Sequence, residues 1–377
     1  MAKEQKTQKN AKGASDVGKV AAGVAGGLAI WHLGRKFILL AVELVVLIAA
    51  IVILVVVMNF EKKNPGRLNI NEEDLDIHEE VAQNETMKGF RNIALFGVDS
   101  TTGSLGKDKE SKTRSDAIII ASINEETKEV KLVSVYRDTY LNLGNDTYTK
   151  CNAAYSQGGP EQAMQMLNTN LDMDIKDFVT IGFRGLKDVV DALGGVEIEV
   201  TKGEISHLNN YQYSMAEDMK IEYTPVKEPG VQTLNGLQTV AYCRIRQIGN
   251  DFQRTERQRT VLTQISEKAK TMSASQLTTI AESAFEEVYT SLELKEILDL
   301  VQVIGEYEIV ESAGFPQMDM LTTGTIGTKG SCVVPLDLAE SVVWLHEFLF
   351  NEEGYQVTER VQTNSDTIDA QTSEFLN

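Results

Sequence analysis

The stretch RSDAIIIASINEETKEVKLVSVYRD, residues 114–138, decides the fold of this 377-residue chain. Two runs rich in isoleucine and valine, at residues 117–123 and 130–136, flank the polar segment 124–127. Short apolar runs separated by a turn-forming tetrapeptide predict two strands joined as a hairpin. Arginine and aspartate mark both ends of the stretch, which makes it a candidate for chemistry as well as for structure.

Strands and helices alternate on both sides of this hairpin. An apolar strand at residues 92–98 precedes it. Further strand signals lie at residues 178–183, 196–200 and 241–246, and helix signals lie at residues 160–171, 186–193 and 255–272. Such alternation predicts a layered α/β/α domain with helices on both faces of a central mixed sheet.

The remaining segments have weaker signals. Residues 201–230 are polar and contain asparagine and proline, so we expect an irregular excursion there. The last hundred residues predict helices near 276–290, 293–303 and 337–350 and a strand at 332–335.

A membrane-spanning segment precedes the domain. Residues 37–60 are apolar except for Glu43 and match a helix that crosses a ~30 Å hydrocarbon layer. Residues 1–36 have seven lysines and arginines against two acidic residues, and such positive flanks stay in the cytoplasm. The expected regions are therefore a cytoplasmic basic tail (1–36), one transmembrane helix (37–60), a polar stalk (61–88), an extracellular domain (89–360) and a flexible tail (361–377).

Composition excludes several functions. The net charge is -19 at pH 7, and an acidic domain repels nucleic acid and anionic lipid. Three scattered cysteines are too few for a disulfide scaffold, although one pair stays open. The four histidines stand apart in the sequence, so neither a zinc site nor a Ser-His-Asp site is indicated. The sequence has no Gly-x-x-x-x-Gly-Lys loop, which disfavours a nucleotide substrate.

Arginine is concentrated in one segment, since five of the twelve arginines fall within residues 244–259. A guanidinium presents a planar fork of donors that matches two phosphate oxygens, so arginines gathered in an acidic chain predict a polyanion site. Asp99 closes the strand at 92–98, and Asp116 opens the next strand. If these strands are neighbours, the two carboxylates meet at one sheet edge and form, with phosphate oxygens, a suitable Mg²⁺ site.

Each feature also has a structural explanation. Asp99 alone fits a strand-end cap equally well, and the Arg114–Asp116 triplet is more commonly a surface ion pair worth under ~1 kcal/mol. Arg137–Asp138 is ambiguous when taken alone. Arg244 and Arg246 are expected on one face of a strand, where like charges repel unless an anion joins them, which favours a functional role. Together the features predict a phosphate site better than any one of them does.

In these residues the chain resembles the LytR-CpsA-Psr proteins of bacterial cell envelopes, over roughly residues 90–270. The resemblance rests on FGVD (96–99), RSD (114–116), VSVYRDT (133–139), KCNA (150–153), GGV (194–196), LNG (234–236) and the segment 244–258. One departure is Tyr136, since the family commonly has proline before the arginine.

The resemblance implies a membrane-anchored phosphotransferase. Its substrate would be a teichoic acid or capsular polysaccharide on a polyprenyl pyrophosphate carrier, transferred to a peptidoglycan hydroxyl through a phosphodiester. Asp99 and Asp116 are then the catalytic carboxylates and the ligands of Mg²⁺ (or Mn²⁺), and Arg114 and Arg137 take part in catalysis. The implied pyrophosphate-binding residues are Arg114, Arg137, Arg244, Arg246 and Arg254, with Asp251 and Gln258 steadying the arginines.

The lipid of such a carrier needs an apolar tunnel. Candidates to line it are Val179, Ile181, Phe183, Val189, Val190 and Leu193, although core packing is the favoured explanation for each one alone. Two other functions stay open: a polyprenyl pyrophosphate phosphatase, and a non-catalytic module that binds or regulates envelope polymers. A transcription factor is disfavoured, because the domain is acidic, expected outside the cell and without a basic recognition helix.

Overall fold

The hairpin predicted at residues 114–138 lies in the middle of the domain. The computed structural model describes residues 68, 70–99, 113–248, 251–284 and 288–376. The strands in this part of the chain are β1 (Phe90–Val98), β2 (Ser115–Asn124), β3 (Glu129–Val135), β4 (Tyr140–Asn142), β5 (Tyr148–Lys150), β6 (Asp177–Gly182), β7 (Val196–Val200), β8 (Gly230–Leu234), β9 (Val288–Thr290), β10 (Glu308–Phe315), β11 (Leu321–Thr325) and β12 (Ser331–Pro335).

The central sheet is mixed and, within the described ranges, has six strands in the order β10-β3-β2-β1-β6-β9. β2 runs antiparallel to both β1 and β3. β6 lies parallel to β1, and β10 lies parallel to β3. The predicted mixed sheet is therefore present, with β9 and β10 as edge strands that the sequence pattern did not predict.

Helices cover both faces of this sheet. They are α1 (Glu79–Ala82), α2 (Ala153–Leu171), α3 (Phe183–Ala192), α4 (Glu204–Met219), α5 (Gly236–Cys243), α6 (Asp251–Lys270), α7 (Ala274–Ala284), α8 (Leu294–Gln302), α9 (Leu338–Phe350) and α10 (Glu359–Thr372). On one face, Phe96 and Ile120 pack into the largest core with residues of α2, α9 and α10. On the other face, Leu95 and Ile119 meet Leu262 of α6. This arrangement is the layered α/β architecture expected from the alternating pattern.

The expected polar stalk at 61–88 is wrong for its described part. Leu75, Val81 and Met87 are buried in the largest core, and α1 lies between two short 3-10 helices, Glu72–Leu75 and Met87–Gly89. Leu68, Ile70 and Ile77 also pack against this core. The apolar residues of this acidic stretch are too widely spaced to show a helix or strand period in the sequence, although they contact distant parts of the chain.

The irregular excursion expected at 201–230 is instead largely the helix α4. Its buried residues include the polar Glu204 and Gln212 as well as Leu208 and Met215, and Gln212 is fully buried. Asn209 donates to and accepts from the backbone of Val226, at 2.8 Å each, which holds the following loop against the helix. Because polar residues occupy some of the buried positions, the sequence does not show the apolar periodicity of an amphipathic helix.

The strand expected at 241–246 is also wrong, because this segment is the end of α5 and the turn after it. Asn235 and Gln238 form a capping box at the start of α5, and every residue of the helix is buried. A helix that is buried all round is apolar all round and is indistinguishable from a buried strand by periodicity. Arg244 and Arg246 therefore follow a helix and do not share a strand face.

The flexible tail expected at 361–377 is wrong over most of its length. α10 begins after Thr358, whose side chain accepts from the backbone N–H of Val361, and it buries Val361 and Ile368 in the main core. The expected tail at 1–36 and transmembrane helix at 37–60 lie outside the described residues. Among the helices that are described, none has the length and apolar character needed to cross a membrane.

Candidate active site

An apolar cavity of about 250 Å³ lies between the sheet and the helices α3, α5 and α6. Strand alternation explains its floor, because Val179 and Ile181 point into it while Phe178 and Thr180 point into the core. Its apolar lining includes Leu95, Ile119, Val179, Ile181, Phe183, Leu186, Val189, Val240, Val261, Leu262 and Ile265. Asp116, Arg244, Arg246 and Arg254 also line it, so charge is confined to one end.

A β-bulge places Asp116 at this charged end. Gly97 pairs with Ala117 and Val98 pairs with Ser115, so Asp116 is the extra residue of β2. A bulge re-aims the side chain of the residue it inserts. Gly97 makes the close pairing possible, since a Cβ there would lie 3.0 Å from the Cβ of Ala117. The motifs around 97 and 116 therefore work as one local structure.

Two arginines hold the Asp116 carboxylate. Arg137 Nη1 donates to Oδ1 at 2.7 Å, and Arg246 Nη2 donates to Oδ2 at 3.0 Å. Arg137 Nε also lies 3.6 Å from both Asp138 and Asp251. Burial opposes the charge of Arg137, but the neighbouring carboxylates outweigh burial and raise its pKa. Arg137 is thus charged, and the contacts with Asp116 hold both arginines in place at the mouth of the cavity.

Arg254 lies beneath this pair and is almost fully buried, with 1% of its surface exposed. It donates to the backbone oxygen of Asp116 at 2.9 Å and forms an ion pair with Asp251 at 3.1 Å. Burial lowers the pKa of Arg254 to about 10, with Arg137 and Arg246 adding repulsion. Three guanidinium groups crowded together in this way are suited to an anionic ligand.

Arg244 approaches the mouth from the other side. Its guanidinium lies over the rings of Phe183 and Tyr211, at 4.5 and 5.2 Å from their centroids. Its Nη2 is 4.0 Å from Asp99, which follows β1 and is exposed. These ring contacts orient Arg244 without neutralising its charge, so it remains available to a ligand.

Arg257 belongs to the same sequence cluster but has a structural role. It is buried and donates to Glu204 of α4 at 2.7 Å, and to the backbone oxygens of Ile245 and Ile248 at 3.1 and 3.2 Å. Burial alone would raise the pKa of Glu204, but hydrogen bonds from Thr201 and Arg257 lower it. This ion pair fixes the turn that positions Arg244 and Arg246.

Most residues expected at the site converge there. Asp116, Arg137, Arg246, Asp251 and Arg254 form one continuous set of ion pairs. Asp99 and Arg244 form a separate pair at 4.0 Å, and Arg244 lines the same cavity as Asp116. Gln258 lines the cavity, and its buried side-chain oxygen has no hydrogen-bond partner in the described part of the chain. Arg114 is exposed immediately before β2.

The expected lipid-contacting residues divide into two groups. Val179, Ile181, Phe183 and Val189 line the cavity. Val190 does not, which corrects the expectation, because it packs with Val196 and Ile198 in a separate core. Leu193 likewise packs with Ala269 and Leu277. In a helix, neighbouring residues face different directions, and the apolar pattern alone did not say which face met the cavity.

Sequence reasoning missed Lys150 and named Asp138 without giving it a role at the site. Lys150 Nζ forms an ion pair with Asp138 Oδ1 at 3.2 Å, and Asp138 in turn contacts Arg137. Both lie in motifs that the chain shares with the LytR-CpsA-Psr proteins, at residues 133–139 and 150–153. Their place in these motifs was the one feature of the sequence that pointed to a role at the site. The cavity residues of β1, β2 and α6 had no signal beyond being apolar.

A divalent cation such as Mg²⁺ takes oxygen ligands from several groups at once. Within the described ranges, no three or more His, Cys, Asp or Glu side chains gather to hold a metal by themselves. Asp99 and Asp116 nevertheless lie at the adjacent ends of paired strands. Mg²⁺ commonly takes one or two protein carboxylates and completes its shell with substrate phosphates and water. Two carboxylates at adjacent strand ends match that number of protein ligands.

The fold and site define a class: an α/β domain with an arginine-lined mouth for a polyanion, opening onto an apolar cavity that suits a hydrocarbon chain. The chain belongs to the LytR_cpsA_psr family, whose model matches residues 56–330.

Relatives and solved structures agree with this assignment. The chain is 31% identical over 205 residues to polyisoprenyl-teichoic acid–peptidoglycan teichoic acid transferase TagV of Bacillus subtilis, covering 53% of this chain and 50% of TagV. It is 28% identical over 226 residues to TagT of the same organism, covering 59% and 66%. The match therefore spans about half to two thirds of these relatives' length. A solved structure of YwtF (TagT) with bound octaprenyl pyrophosphate lipid matches with a TM-score of 0.53 and 22% identity, covering 76% of this chain and 100% of that one, and shows the shared fold.

Proposed function

We propose that this protein is a membrane-anchored phosphotransferase that attaches a polyprenyl-pyrophosphate-linked glycopolymer to peptidoglycan through a phosphodiester. The polymer is of the teichoic acid or capsular polysaccharide type. One observation carries the proposal: Arg137, Arg246 and Arg254 meet around Asp116 at the mouth of an apolar cavity. A lipid pyrophosphate has the same two parts, an anionic head and a hydrocarbon chain.

The names of the relatives support this reaction. TagV and TagT are both named as transferases of teichoic acid from a polyisoprenyl carrier to peptidoglycan. The bound lipid in the YwtF (TagT) structure is a polyprenyl pyrophosphate. The same substrate class fits the cavity and the arginines of this chain.

The chemistry requires alignment and charge neutralisation more than covalent help from the protein. An acceptor hydroxyl attacks the phosphorus that bears the polymer, and a new P–O bond forms as the bond to the bridging oxygen breaks. Polyprenyl phosphate leaves with the electron pair, and Arg137, Arg246 and Arg254 stabilise its charge. A carboxylate takes the hydroxyl proton; Asp99, with 55% of its side chain exposed against 22% for Asp116, is the more accessible to an acceptor.

Mg²⁺ (or Mn²⁺) is part of the proposal. Asp99 and Asp116 would hold it together with pyrophosphate oxygens, and its chemistry is to neutralise phosphate charge. A bound pyrophosphate would give Arg137 and Arg246 new anionic partners, and the Asp116 oxygens would then be available to hold the cation. Transfer by the purified protein is expected to stop with a chelator and to return with added Mg²⁺.

The proposed location follows from residues 1–60. The basic tail and the apolar segment 37–60 support a single-pass anchor with the catalytic domain outside the cell. In intact cells stripped of their wall, added protease is expected to digest the domain and to leave an N-terminal tag protected. Protection of the domain would place it in the cytosol and contradict the proposal.

Transfer is tested with the full-length protein in detergent micelles. It is incubated with Mg²⁺, peptidoglycan fragments and a lipid-linked glycopolymer labelled in the polymer. We expect labelled fragments joined through a phosphodiester and an equal amount of released polyprenyl phosphate. Arg137→Ala should lower the rate by about 100-fold or more, as for loss of one charge-stabilising donor.

Arg360→Ala is the matched control, because Arg360 pairs with Asp76 on the opposite face of the sheet and should keep the full rate. Inorganic phosphate without a sugar phosphodiester would identify a phosphatase instead. Undiminished lipid binding without turnover in Mg²⁺ or Mn²⁺ would identify a binding module.

A further inference from the structure

A second cavity lies away from the arginine cluster. It measures about 360 Å³ and is lined by Lys131 of β3, Glu311 of β10, and Trp344, Glu347, Phe348 and Asn351 of α9 and its C-cap. The aromatic residues pack against the core on the face of the sheet opposite the apolar cavity. The α9 residues also lie beyond residue 330, where the family match ends. Most of the residues that line the groove therefore lie in a part of the chain that the family match does not cover, while Lys131 and Glu311 lie within it.

The floor of the groove is an ordered aromatic surface. Trp344 and Phe348 are one helical turn apart and stack with their centroids 5.3 Å apart and their planes 25° apart. With the Gln317 amide turned to satisfy both neighbours, Trp344 Nε1 donates to it at 2.5 Å and the amide donates to Asp319 at 3.3 Å. Both rings are half-buried, so part of each is presented to the groove.

A lysine orders the polar rim. Lys131 Nζ donates to the Phe348 carbonyl at 2.7 Å and to Asn351 Oδ1 at 3.0 Å, and lies 5.5 Å from the Phe348 ring centroid. It also pairs with Glu311 at 3.5 Å. Only 13% of the Lys131 side chain is exposed, so its charge is used within the rim. The groove is consequently preorganised before a ligand arrives.

Charge selects the kind of ligand. One lysine faces three glutamates, Glu311, Glu347 and Glu353, so the rim is acidic and repels a polyanion such as a teichoic acid. Carboxylates and an amide accept hydrogen bonds from hydroxyl groups. The C–H face of a pyranose ring is apolar and can lie flat on an aromatic ring. A neutral sugar satisfies both the floor and the rim.

We propose that this groove binds a neutral chain of N-acetylated hexoses, stacked on Trp344 and hydrogen-bonded to Glu311 and Glu347. The acetamido N–H of such a sugar is a further donor to these carboxylates. This sugar binding does not rest on the proposed function.

The test uses the full-length protein in micelles with Trp31→Phe, which leaves Trp344 as the one remaining tryptophan. The probe is a tetrasaccharide of β-1,4-linked N-acetylglucosamine. We expect a saturable change of tryptophan fluorescence and, by calorimetry, a loss of affinity of tenfold or more with Trp344→Leu. Glu347→Ala, on the exposed rim, should weaken binding several-fold, and Arg360→Ala should leave it unchanged.

Absence of saturable binding, or binding that survives both Trp344→Leu and Glu347→Ala, would overturn the inference. Tighter binding of poly(glycerol phosphate) than of the tetrasaccharide would overturn it as well. Thermal unfolding shows whether Trp344→Leu folds. If that variant is unfolded, the loss of affinity in Glu347→Ala tests the inference. Arg137→Ala should lose transfer and retain tetrasaccharide binding, which separates this inference from the proposed reaction.

Discussion

Asp116 has both carboxylate oxygens engaged by arginines, Arg137 on one side and Arg246 on the other. The same arginines are the residues that an incoming pyrophosphate would bind. We propose that Asp116 is an internal anion that holds these arginines in place and is exchanged for the substrate. Such a counter-ion keeps three like charges together without the ligand.

Asp116→Asn tests this exchange. The arginines lose a competing anion, so affinity for geranylgeranyl pyrophosphate measured without a divalent cation should be retained or increased. Transfer with Mg²⁺ should fall by about 100-fold, as one charged group of the centre is lost. Calorimetry measures the first quantity and the product assay the second. Asp76→Asn, in the ion pair with Arg360, is the matched control. Equal losses of binding and transfer would show that Asp116 only supports the fold.

His346 is fully buried, with Nε2 donating to the Leu171 carbonyl at 3.0 Å and its ring stacked 3.6 Å from Tyr355. Burial lowers its pKa to about 4, whereas an unfolded histidine has a pKa near 6.5. Between these two pH values His346 binds a proton in the unfolded chain and stays neutral in the folded chain. The stability associated with neutral His346 is therefore complete above pH 6.5 and is lost as the pH falls toward 4.

His346→Gln should remove this dependence while keeping a donor for the Leu171 carbonyl. Relative to the variant, the wild-type protein should lose about 2 kcal/mol of unfolding free energy between pH 7.5 and pH 5. Denaturant unfolding at the two pH values measures the difference. The same pH dependence in both proteins would contradict the assignment, and the comparison cancels the titration of other groups.

At the scale of elements, the alternation of β6 separates two environments with consecutive residues. Phe178 and Thr180 are fully buried in the core, while Val179 and Ile181 form part of the cavity floor. The strand therefore serves the fold with one face and the proposed lipid site with the other. The helices α3, α5 and α6 close the cavity because their apolar faces meet the second face of the sheet.

Val179→Phe should fill part of this cavity. We expect about a tenfold loss of affinity for a long-chain polyprenyl pyrophosphate, since apolar contact is displaced, and unchanged affinity for inorganic pyrophosphate. Calorimetry with the two ligands measures both. Val310→Phe makes the same change on β10, where the side chain is 39% exposed, and should alter neither. Unchanged lipid affinity in Val179→Phe would place the hydrocarbon chain elsewhere.

At the scale of the whole molecule, the C-terminal helix α10 completes the largest core. Val361 and Ile368 are buried in it, and Asn364 accepts from Tyr148 at 2.7 Å and from Asn142 at 3.1 Å. Residues separated by more than 200 positions are thus joined around α10. The end of the chain is part of the domain and not an appendage to it.

Ending the chain after Thr358 should lower the Tm by about 10 °C or more, because several buried side chains each worth 1.5–3 kcal/mol are lost. Asp366→Ala, on the exposed face of α10, should change the Tm little. Thermal unfolding followed by circular dichroism measures both. An unchanged Tm in the shortened chain would restore the flexible tail that the sequence pattern predicted.

The sequence by itself determined the central hairpin, the mixed α/β class and the residue types of the arginine mouth. These features depend on patterns within short segments: apolar strands, turn residues and arginine-aspartate motifs. Only the tertiary structure decided that Asp116 is a bulged residue, that α5 is a helix, that Val179 and not Val190 lines the cavity, and that α10 is ordered. Each of these four features depends on contacts with segments that are distant in the sequence. Apolar residues recur with a regular period only when one face of a helix or strand is buried. When every face is buried, as in α5, the period is lost.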